Sequence, residues 1–209
     1  MRVAIFGASG RTGRPLVEQA LARGYEVRAL VRDPPKLQVR HERLVVIRGD
    51  VLDVARVEET VAGADAVLSA LGPSKTSPKD VQTRGTQNIV AAMKEQGARR
   101  LVSLTGAGVR DPQDEPKLVD RAITFLLKRL QPAVLEDGVR HAEVIKASDL
   151  EWVIVRGPRL TKGPKRGEYR VGVIGKNSGT QISRADLAEF MLDQLTTDAH
   201  LRQMPVVSY

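Results

Sequence analysis

The residues best placed to do chemistry stand at the start of the chain, where Gly7, Gly10 and Gly13 follow four apolar residues, Val3 to Phe6. Glycines at this spacing, set between a strand and a helix, suit the pyrophosphate of a dinucleotide. The first permits a tight turn, the second lets backbone approach phosphate, and the third lets the helix pack close to the strand. The helix start beyond them offers unpaired N–H groups and a partial positive charge. Spacing alone is weak evidence in a chain with 18 glycines, and a strand–turn–helix without a ligand has the same outline. Context carries the reading. Leu16, Val17, Ala20 and Leu21 fall at helical spacing, Gly24 is a natural stop, and Glu26 to Val31 reads as a second strand.

The end of that second strand selects the cofactor. A carboxylate there accepts the ribose 2′-hydroxyl of NAD, and an arginine there suits the 2′-phosphate of NADP. The segment reads Val31-Arg32-Asp33-Pro34-Pro35-Lys36, and Arg11 projects from the glycine loop. Arg32, Arg11 and Lys36 around one site favour NADP(H) over NAD(H). A shift of one residue would instead set Asp33 against the ribose.

A second group of cations follows the sixth strand: Arg159, Lys162, Lys165 and Arg166. At a substrate mouth they would hold a phosphate or carboxylate, or stabilise an anionic reduced product. As loop cations they would simply be solvated. His141 is a candidate proton donor, although a lone helical histidine is more often structural or exposed. No cysteine is present, and no histidine or acidic cluster has ligand spacing, so no metal site is expected.

The elements that must position these residues alternate. A third strand is expected over Leu44 to Arg48, then a helix capped by Asp53 and running to Val61. Ala66 to Ala70 reads as a fourth strand, followed by a polar loop from Ser74 to Pro78 and a helix from Asp80 to Gln96. Arg100 to Leu104 is a fifth strand. Lys117 to Leu130 reads as a helix with Leu118, Ile123, Leu126, Leu127 and Leu130 roughly on one side, broken by Pro132. A helix over Asp137 to Ala147, a sixth strand over Trp152 to Val155, and a helix capped by Ser183 with Asp186 three residues on complete the series. Pro205 to Ser208 reads as a final edge strand. This alternation predicts a Rossmann-type α/β fold, a doubly wound parallel sheet with helices on both faces. It is expected to form a single NAD(P)-binding domain over residues 1–209, with small substrate-side elements near the C-terminus.

Ligands bind at the C-terminal ends of such strands. Asp50 and Val51 would then sit by the adenine, the Leu71-Gly72 turn would pass the adenine ribose, and Thr105 and Pro158 would approach the nicotinamide. Composition narrows the partners. The formal charge is +8, but the cations are scattered and aromatic residues make up 3%, leaving few platforms for stacking bases. Specific nucleic-acid binding is not expected. No apolar run reaches the length of a membrane span, so no membrane partner is expected, and the absence of cysteine points to the cytoplasm.

Assembled, these residues resemble the atypical short-chain dehydrogenase/reductase superfamily and its NAD(P)H-binding, NmrA-like group. The resemblance is nearest to the NADPH-dependent flavin reductase (biliverdin reductase B) branch. It is carried by Ala4 to Gly13, Gly24 to Val27, Leu30 to Asp33, Gly49 to Val51, Thr60 to Gly63, Asp65 to Val67, Asn88 to Lys94 and Phe190 to Leu192. It implies that Gly7, Ser9, Gly10, Thr12, Arg32, Lys36, Asp50, Val51, Leu71, Gly72 and Thr105 contact the cofactor. Two positions depart from the branch: Gly106 stands where it has a serine, and Arg159 where it has a histidine. Glycine has no proton to give, and arginine stays charged at ordinary pH. The superfamily's Tyr-x-x-x-Lys pair is also missing, because none of Tyr25, Tyr169 and Tyr209 has a lysine four residues later.

The resemblance and the missing pair together predict an NADPH-dependent reductase. Hydride would pass to a small-molecule acceptor, a flavin, quinone or similar compound, in a monomer or homodimer. A non-catalytic NADP(H) sensor of the NmrA-like type shares the same residues. A nucleotide-sugar epimerase or reductase fits them less well, for want of the tyrosine.

Overall fold

The computed structural model describes residues 1–74 and 76–209; Lys75, within the expected Ser74 to Pro78 loop, lies outside them. In chain order the strands are β1 (Arg2–Phe6), β2 (Glu26–Val31), β3 (Leu44–Arg48), β4 (Ala66–Ser69), β5 (Arg100–Gly106), β6 (Glu151–Gly157), β7 (Arg159–Thr161), β8 (Arg170–Gly172), β9 (Gln181–Ser183) and β10 (Val206–Ser208). The helices are α1 (Gly13–Ala22), α2 (Val54–Val61), α3 (Val81–Gln96), α4 (Leu118–Leu130), α5 (Pro132–Lys146) and α6 (Arg184–Asp193).

The main sheet has the order β3-β2-β1-β4-β5-β6-β10-β8 and is parallel except for β8, which pairs antiparallel with β10. This is the expected Rossmann-type arrangement. Successive side chains of a strand face opposite sides, and both faces of a parallel sheet are covered. Val3 and Ile5 therefore pack with Leu16 and Val17 of α1 and Leu187 and Met191 of α6. Ala4 and Phe6 point the other way, to Val57 of α2, Ile89 and Met93 of α3, and Ile145 of α5. The chain reverses direction of travel across the sheet at β1, which lies between β2 and β4. Such a switch point leaves a crevice at the strand ends.

Two details differ from expectation, and a third element, α4, forms where expected but lies outside the core. Residues 206–208 do not form an edge: β10 lies between β6 and β8, pairing Val206 with both Arg156 and Gly172. Helix α5 begins at Pro132, which lacks the N–H that a first turn leaves unused and so starts one helix as it ends another. Helix α4 buries none of its residues; Leu118 is 83% and Phe125 70% exposed. Its apolar periodicity reflects a helix that leans on α5 and roofs a cavity rather than one that enters the core.

Candidate active site

The glycine loop is built as its spacing requires. Gly7 has φ +73°, and a Cβ there would lie 2.5 Å from the Ala70 carbonyl oxygen, so β1 and the end of β4 approach too closely for a side chain. A Cβ on Gly13 would fall 2.0 Å from the Gly7 oxygen, which fixes how tightly α1 seats on the loop. The Gly10 N–H donates to the Gly7 carbonyl at 2.9 Å, closing the turn. A Cβ on Gly72 would meet nothing within 4 Å, leaving open space beside the strand ends. Thr12 is buried at the start of α1 and Ser9 is half-buried in the loop. A loop closed on itself, with bare backbone at its rim, fits a dinucleotide pyrophosphate.

Arg32 leaves β2 toward that crevice. Its Nη2 donates to Ser74 Oγ at 3.0 Å, and its Nη1 stands 3.9 Å from Asp50 Oδ2. Asp33 is turned to Lys36, with 3.0 Å between carboxylate and ammonium. Arg11 sits near Arg184, whose pKa is lowered by burial and by the Arg11 charge. Asp50 Oδ1 accepts from the Leu52 N–H at 2.9 Å, and the Val51 carbonyl accepts from Asn88 Nδ2 at 2.9 Å, which fixes this turn against α3. The Leu71 carbonyl accepts from Gln82 Nε2 at 3.0 Å. Gln82 also lines the neighbouring cavity and so links the two parts of the site.

That cavity, about 620 Å³, opens at the C-terminal ends of β5 and β6. Thr105, Gly106, Gly157, Pro158 and Arg159 form its sheet side, and Ile123, Leu127, Val134 and Leu135 of α4 and α5 form an apolar wall. A Cβ on Gly106 would meet nothing within 4 Å, so the place where the related branch carries serine is open. Of the four expected mouth cations, Arg159 lines the cavity. Lys165 pairs with Glu189 at 2.5 Å, and the Arg166 guanidinium lies over the Tyr209 ring at 4.2 Å.

His141 is not brought to the cavity. It is fully buried, with Nδ1 2.8 Å from Thr86 Oγ1 and Nε2 3.3 Å from Ser103 Oγ. Burial pushes its pKa down to about 4, against an opposing pull from Asp137. It is therefore neutral near pH 7 and joins α5 to α3 and β5. One turn earlier on α5, Asp137 caps α3 from outside, accepting from the Gln82 and Thr83 N–H groups at 2.9 Å each.

A family model described as NAD(P)H-binding matches residues 7–198, from the glycine loop to beyond α6. The chain belongs to that family. It is 25% identical to the uncharacterized protein YwnB of Bacillus subtilis over 96% of its own length and 94% of that protein's. It is 33% identical to a 3-diazoavenalumate denitrifying reductase of a Streptomyces species, over 82% of this chain and 60% of the reductase. It spans only 38% of a rice cinnamoyl-CoA reductase 1 that it also matches. Among solved structures, a Veillonella parvula short-chain dehydrogenase/reductase in complex with NADP superposes with a TM-score of 0.81 at 21% identity, covering 100% of this chain and 94% of that one. ChuY, an anaerobillin reductase from Escherichia coli O157:H7, superposes at 0.80 with 18% identity, covering 100% and 97%. These structures share the fold.

Residues that spacing did not single out complete the site. Gln82 and Asp137 act through contacts between distant parts of the chain. Arg110, on the loop after β5, lines the cavity, and Arg184 enters beside Arg11 from the start of α6. For Arg110 the available signal was its place just beyond a strand's C-terminal end, where ligands of such sheets bind. Among the described residues no group of three or more histidine, cysteine, aspartate or glutamate side chains has metal-binding geometry, and no helix is long and apolar enough to cross a membrane.

Proposed function

We propose that this chain is an NADP(H)-dependent reductase that delivers hydride to a flavin, quinone or similar acceptor without a Tyr-x-x-x-Lys pair. One observation carries the reading. A mostly apolar cavity lies directly beyond β5 and β6, and among the described residues its wall contains no tyrosine, histidine or lysine. Such a wall suits acceptors that take their proton from water. The bound nicotinamide would supply the hydride. The chain's own residues would bind and orient: the Gly7–Gly13 loop the pyrophosphate, Thr105 and Pro158 the nicotinamide end, and Asp50, Val51, Leu71 and Gly72 the adenosine end. Arg159 at the cavity would stabilise negative charge on the reduced acceptor. Preference for NADP(H) is supported by Arg32 in the crevice and by the engagement of Asp33 with Lys36. The Streptomyces relative, a reductase, agrees with this reading. A cytoplasmic setting is supported by the absence of cysteine.

The test is an acceptor screen. Purified protein is mixed with NADPH and then with FMN, FAD or menadione, and NADPH oxidation is followed. Turnover with at least one acceptor, and a lower rate with NADH, are the expected results. Tight NADPH binding without turnover across a broad panel would overturn the reading.

A second reading, a non-catalytic NADP(H) sensor, is favoured by one feature: the outer side of α4, where Leu118, Phe125 and Leu130 are exposed. It predicts a bound protein partner whose recovery changes between NADP⁺ and NADPH.

A further inference from the structure

Helix α4 has two unlike sides. Successive residues of a helix turn by about 100°, so Asp120, Ile123, Thr124 and Leu127 share one side, and these four line the cavity. Arg110 clasps the same side, its Nη2 donating to Thr124 Oγ1 at 2.6 Å and to the Asp120 carbonyl at 3.3 Å. The opposite side carries Leu118, Ala122 and Phe125, with Leu126 and Leu130 beside them. Leu118, Phe125, Leu126 and Leu130 each expose more than half of their surface. Cations border this stripe. Arg121 and Lys128 lie along one edge and Arg129 near the C-terminal end, and all three are exposed. The single acid of α4, Asp120, is on the cavity side, and Glu136 of α5 pairs with Arg140 at 3.8 Å. Among the described residues the three cations are therefore left without a carboxylate.

A contiguous apolar stripe facing water calls for a cover. That cover must be apolar along the stripe and anionic at its edge. A second copy of this chain meets the first condition but not the second, because pairing α4 with itself would set Arg121, Lys128 and Arg129 against the same cations. We propose that α4 docks on an anionic lipid bilayer. It would lie in the interface, with Leu118, Ala122 and Phe125 at the acyl boundary and the cations among the headgroups. Long basic side chains reach headgroups from apolar stems, which suits Arg129 at the stripe itself. With 13 residues, roughly 20 Å, α4 is too short to span a bilayer. The expectation of no membrane partner concerned spanning runs and does not bear on a helix lying flat. Because α4 buries none of its residues, seating its outer side in lipid costs no core packing. The proposal stands apart from the reductase reading. Under that reading, docking would set the acceptor cavity beside a bilayer in which apolar quinones dissolve.

The experiment is co-sedimentation of the full chain with vesicles of phosphatidylcholine, alone or mixed equally with phosphatidylglycerol, at low salt. The anionic vesicles should bind about tenfold or more tightly than the neutral ones, and added salt should weaken them. A chain of formal charge +8 is drawn to any anionic surface, so the variants decide. Leu118→Ser/Phe125→Ser and Arg121→Gln/Lys128→Gln should each lose about tenfold or more in affinity for the anionic vesicles. Lys94→Gln/Arg99→Gln removes equal charge where α3 ends and β5 begins, at the far end of the sheet, and should bind nearly as the natural chain does. Phe125→Trp adds a reporter to the stripe, since the natural Trp152 is buried, and lipids brominated in their acyl chains should quench it. NADPH affinity reports whether each variant is folded. No binding to anionic vesicles would overturn the proposal, as would an equal loss in Lys94→Gln/Arg99→Gln or an unquenched Phe125→Trp. A lipid-free dimer that Leu118→Ser/Phe125→Ser abolishes would assign the stripe to a second copy instead. Capture of a protein partner that the same variant loses, without vesicle binding, would assign it to that partner. Acceptor turnover is scored separately. Turnover without vesicle binding removes this proposal alone, whereas vesicle binding without turnover removes the reductase reading and leaves the docking surface.

Discussion

Arg156 on β6 grips Asp114 through two hydrogen bonds, Nη1 to Oδ2 at 2.7 Å and Nη2 to Oδ1 at 2.9 Å, and both side chains are withdrawn from solvent. The pair is not isolated. Arg156 Nε donates to the Met204 carbonyl at 2.7 Å, and Asp114 accepts from the Asp111 and Ile174 N–H groups at 2.9 and 3.1 Å. The sheet, the cavity loop after β5 and the segment after β8 therefore meet on one ion pair. Removing one partner of a buried pair leaves the other charge uncompensated, at a cost of about 3–5 kcal/mol. Asp114→Asn should lower stability to chemical denaturation by an amount of that order. Because the pair steadies the cavity loop and not the glycine loop, the variant's KM should rise more for acceptor than for NADPH. Steady-state kinetics in both substrates, beside a urea titration, checks both halves.

His141 and Asp114 act in different pH windows. His141 has its pKa pushed down to about 4 by burial. Unfolded, it would titrate near ~6.5, so between those values the unfolded chain binds more protons and acid favours unfolding. Stability should therefore fall as pH drops from about 6.5 to 4, by up to about 3 kcal/mol, and this contribution should be flat below that range. For Asp114, burial alone would raise the pKa, but the Arg156 guanidinium and the Asp111 and Ile174 N–H groups together hold it below the ordinary carboxylate value. Its stabilisation is present above the unfolded value of about 3.9 and is lost only as pH falls toward the depressed folded value. Urea titrations at pH 7 and 5 should show a drop for the natural chain, and a smaller one for His141→Gln. An equal drop in both proteins would show that His141 is not the source.

What could be read from the chain and what could not divide along contact distance. The glycine loop, β1, β2 and the spacing of α1 are local, and residues a few positions apart determine them. The doubly wound parallel arrangement followed because right-handed βα crossovers leave few alternatives, but the inner place of β10 between β6 and β8 did not. Helix α4 forms where its period placed it, although period 3.6 reports an apolar face and not what covers it. Arg156 and Asp114 are 42 residues apart, and His141 and Thr86 are 55 apart. No local pattern marks such partners, so the sequence alone leaves His141 open as a candidate proton donor. The capping at Ser183 was half legible. Ser183 Oγ accepts from the Asp186 N–H as expected, but the Asp186 carboxylate accepts from the Ser183 hydroxyl, the Arg166 and Gly167 N–H groups and the Tyr209 hydroxyl, while the Ser183 N–H donates to Tyr209.

Gly106 offers a direct test of the missing proton donor. A Cβ there meets nothing within 4 Å, and its backbone is not in the left-handed region, so Gly106→Ser should leave stability within about 0.5 kcal/mol of the natural chain. The new hydroxyl would stand in the cavity at the end of β5. Acceptors that must be protonated at carbon, such as a conjugated enone, should gain at least about tenfold in kcat, since a positioned general acid typically contributes more than that. Menadione and FMN, which exchange protons with water, should change little. A gain of equal size for all acceptors would mean that the serine alters packing or cofactor position instead.

Cofactor choice should depend on Arg32. Its side chain is 47% exposed and is directed by Ser74 and Asp50 rather than locked in the core, so Arg32→Ala should fold normally. Asp33 is drawn toward Lys36, which leaves Arg32 as the charge facing the crevice. Loss of a charge-assisted hydrogen bond to a 2′-phosphate costs about 1.5–3 kcal/mol, or roughly 10- to 100-fold in affinity. NADPH should weaken by that factor in Arg32→Ala while NADH, which has no 2′-phosphate, changes much less. Lys36→Ala separates two roles of its neighbour. If Lys36 mainly restrains Asp33, its removal should improve NADH binding by freeing that carboxylate for the ribose; if Lys36 itself meets the phosphate, NADPH should weaken and NADH should not improve. Fluorescence titration of both cofactors against both variants decides the assignment, and unchanged discrimination in Arg32→Ala would remove Arg32 from it.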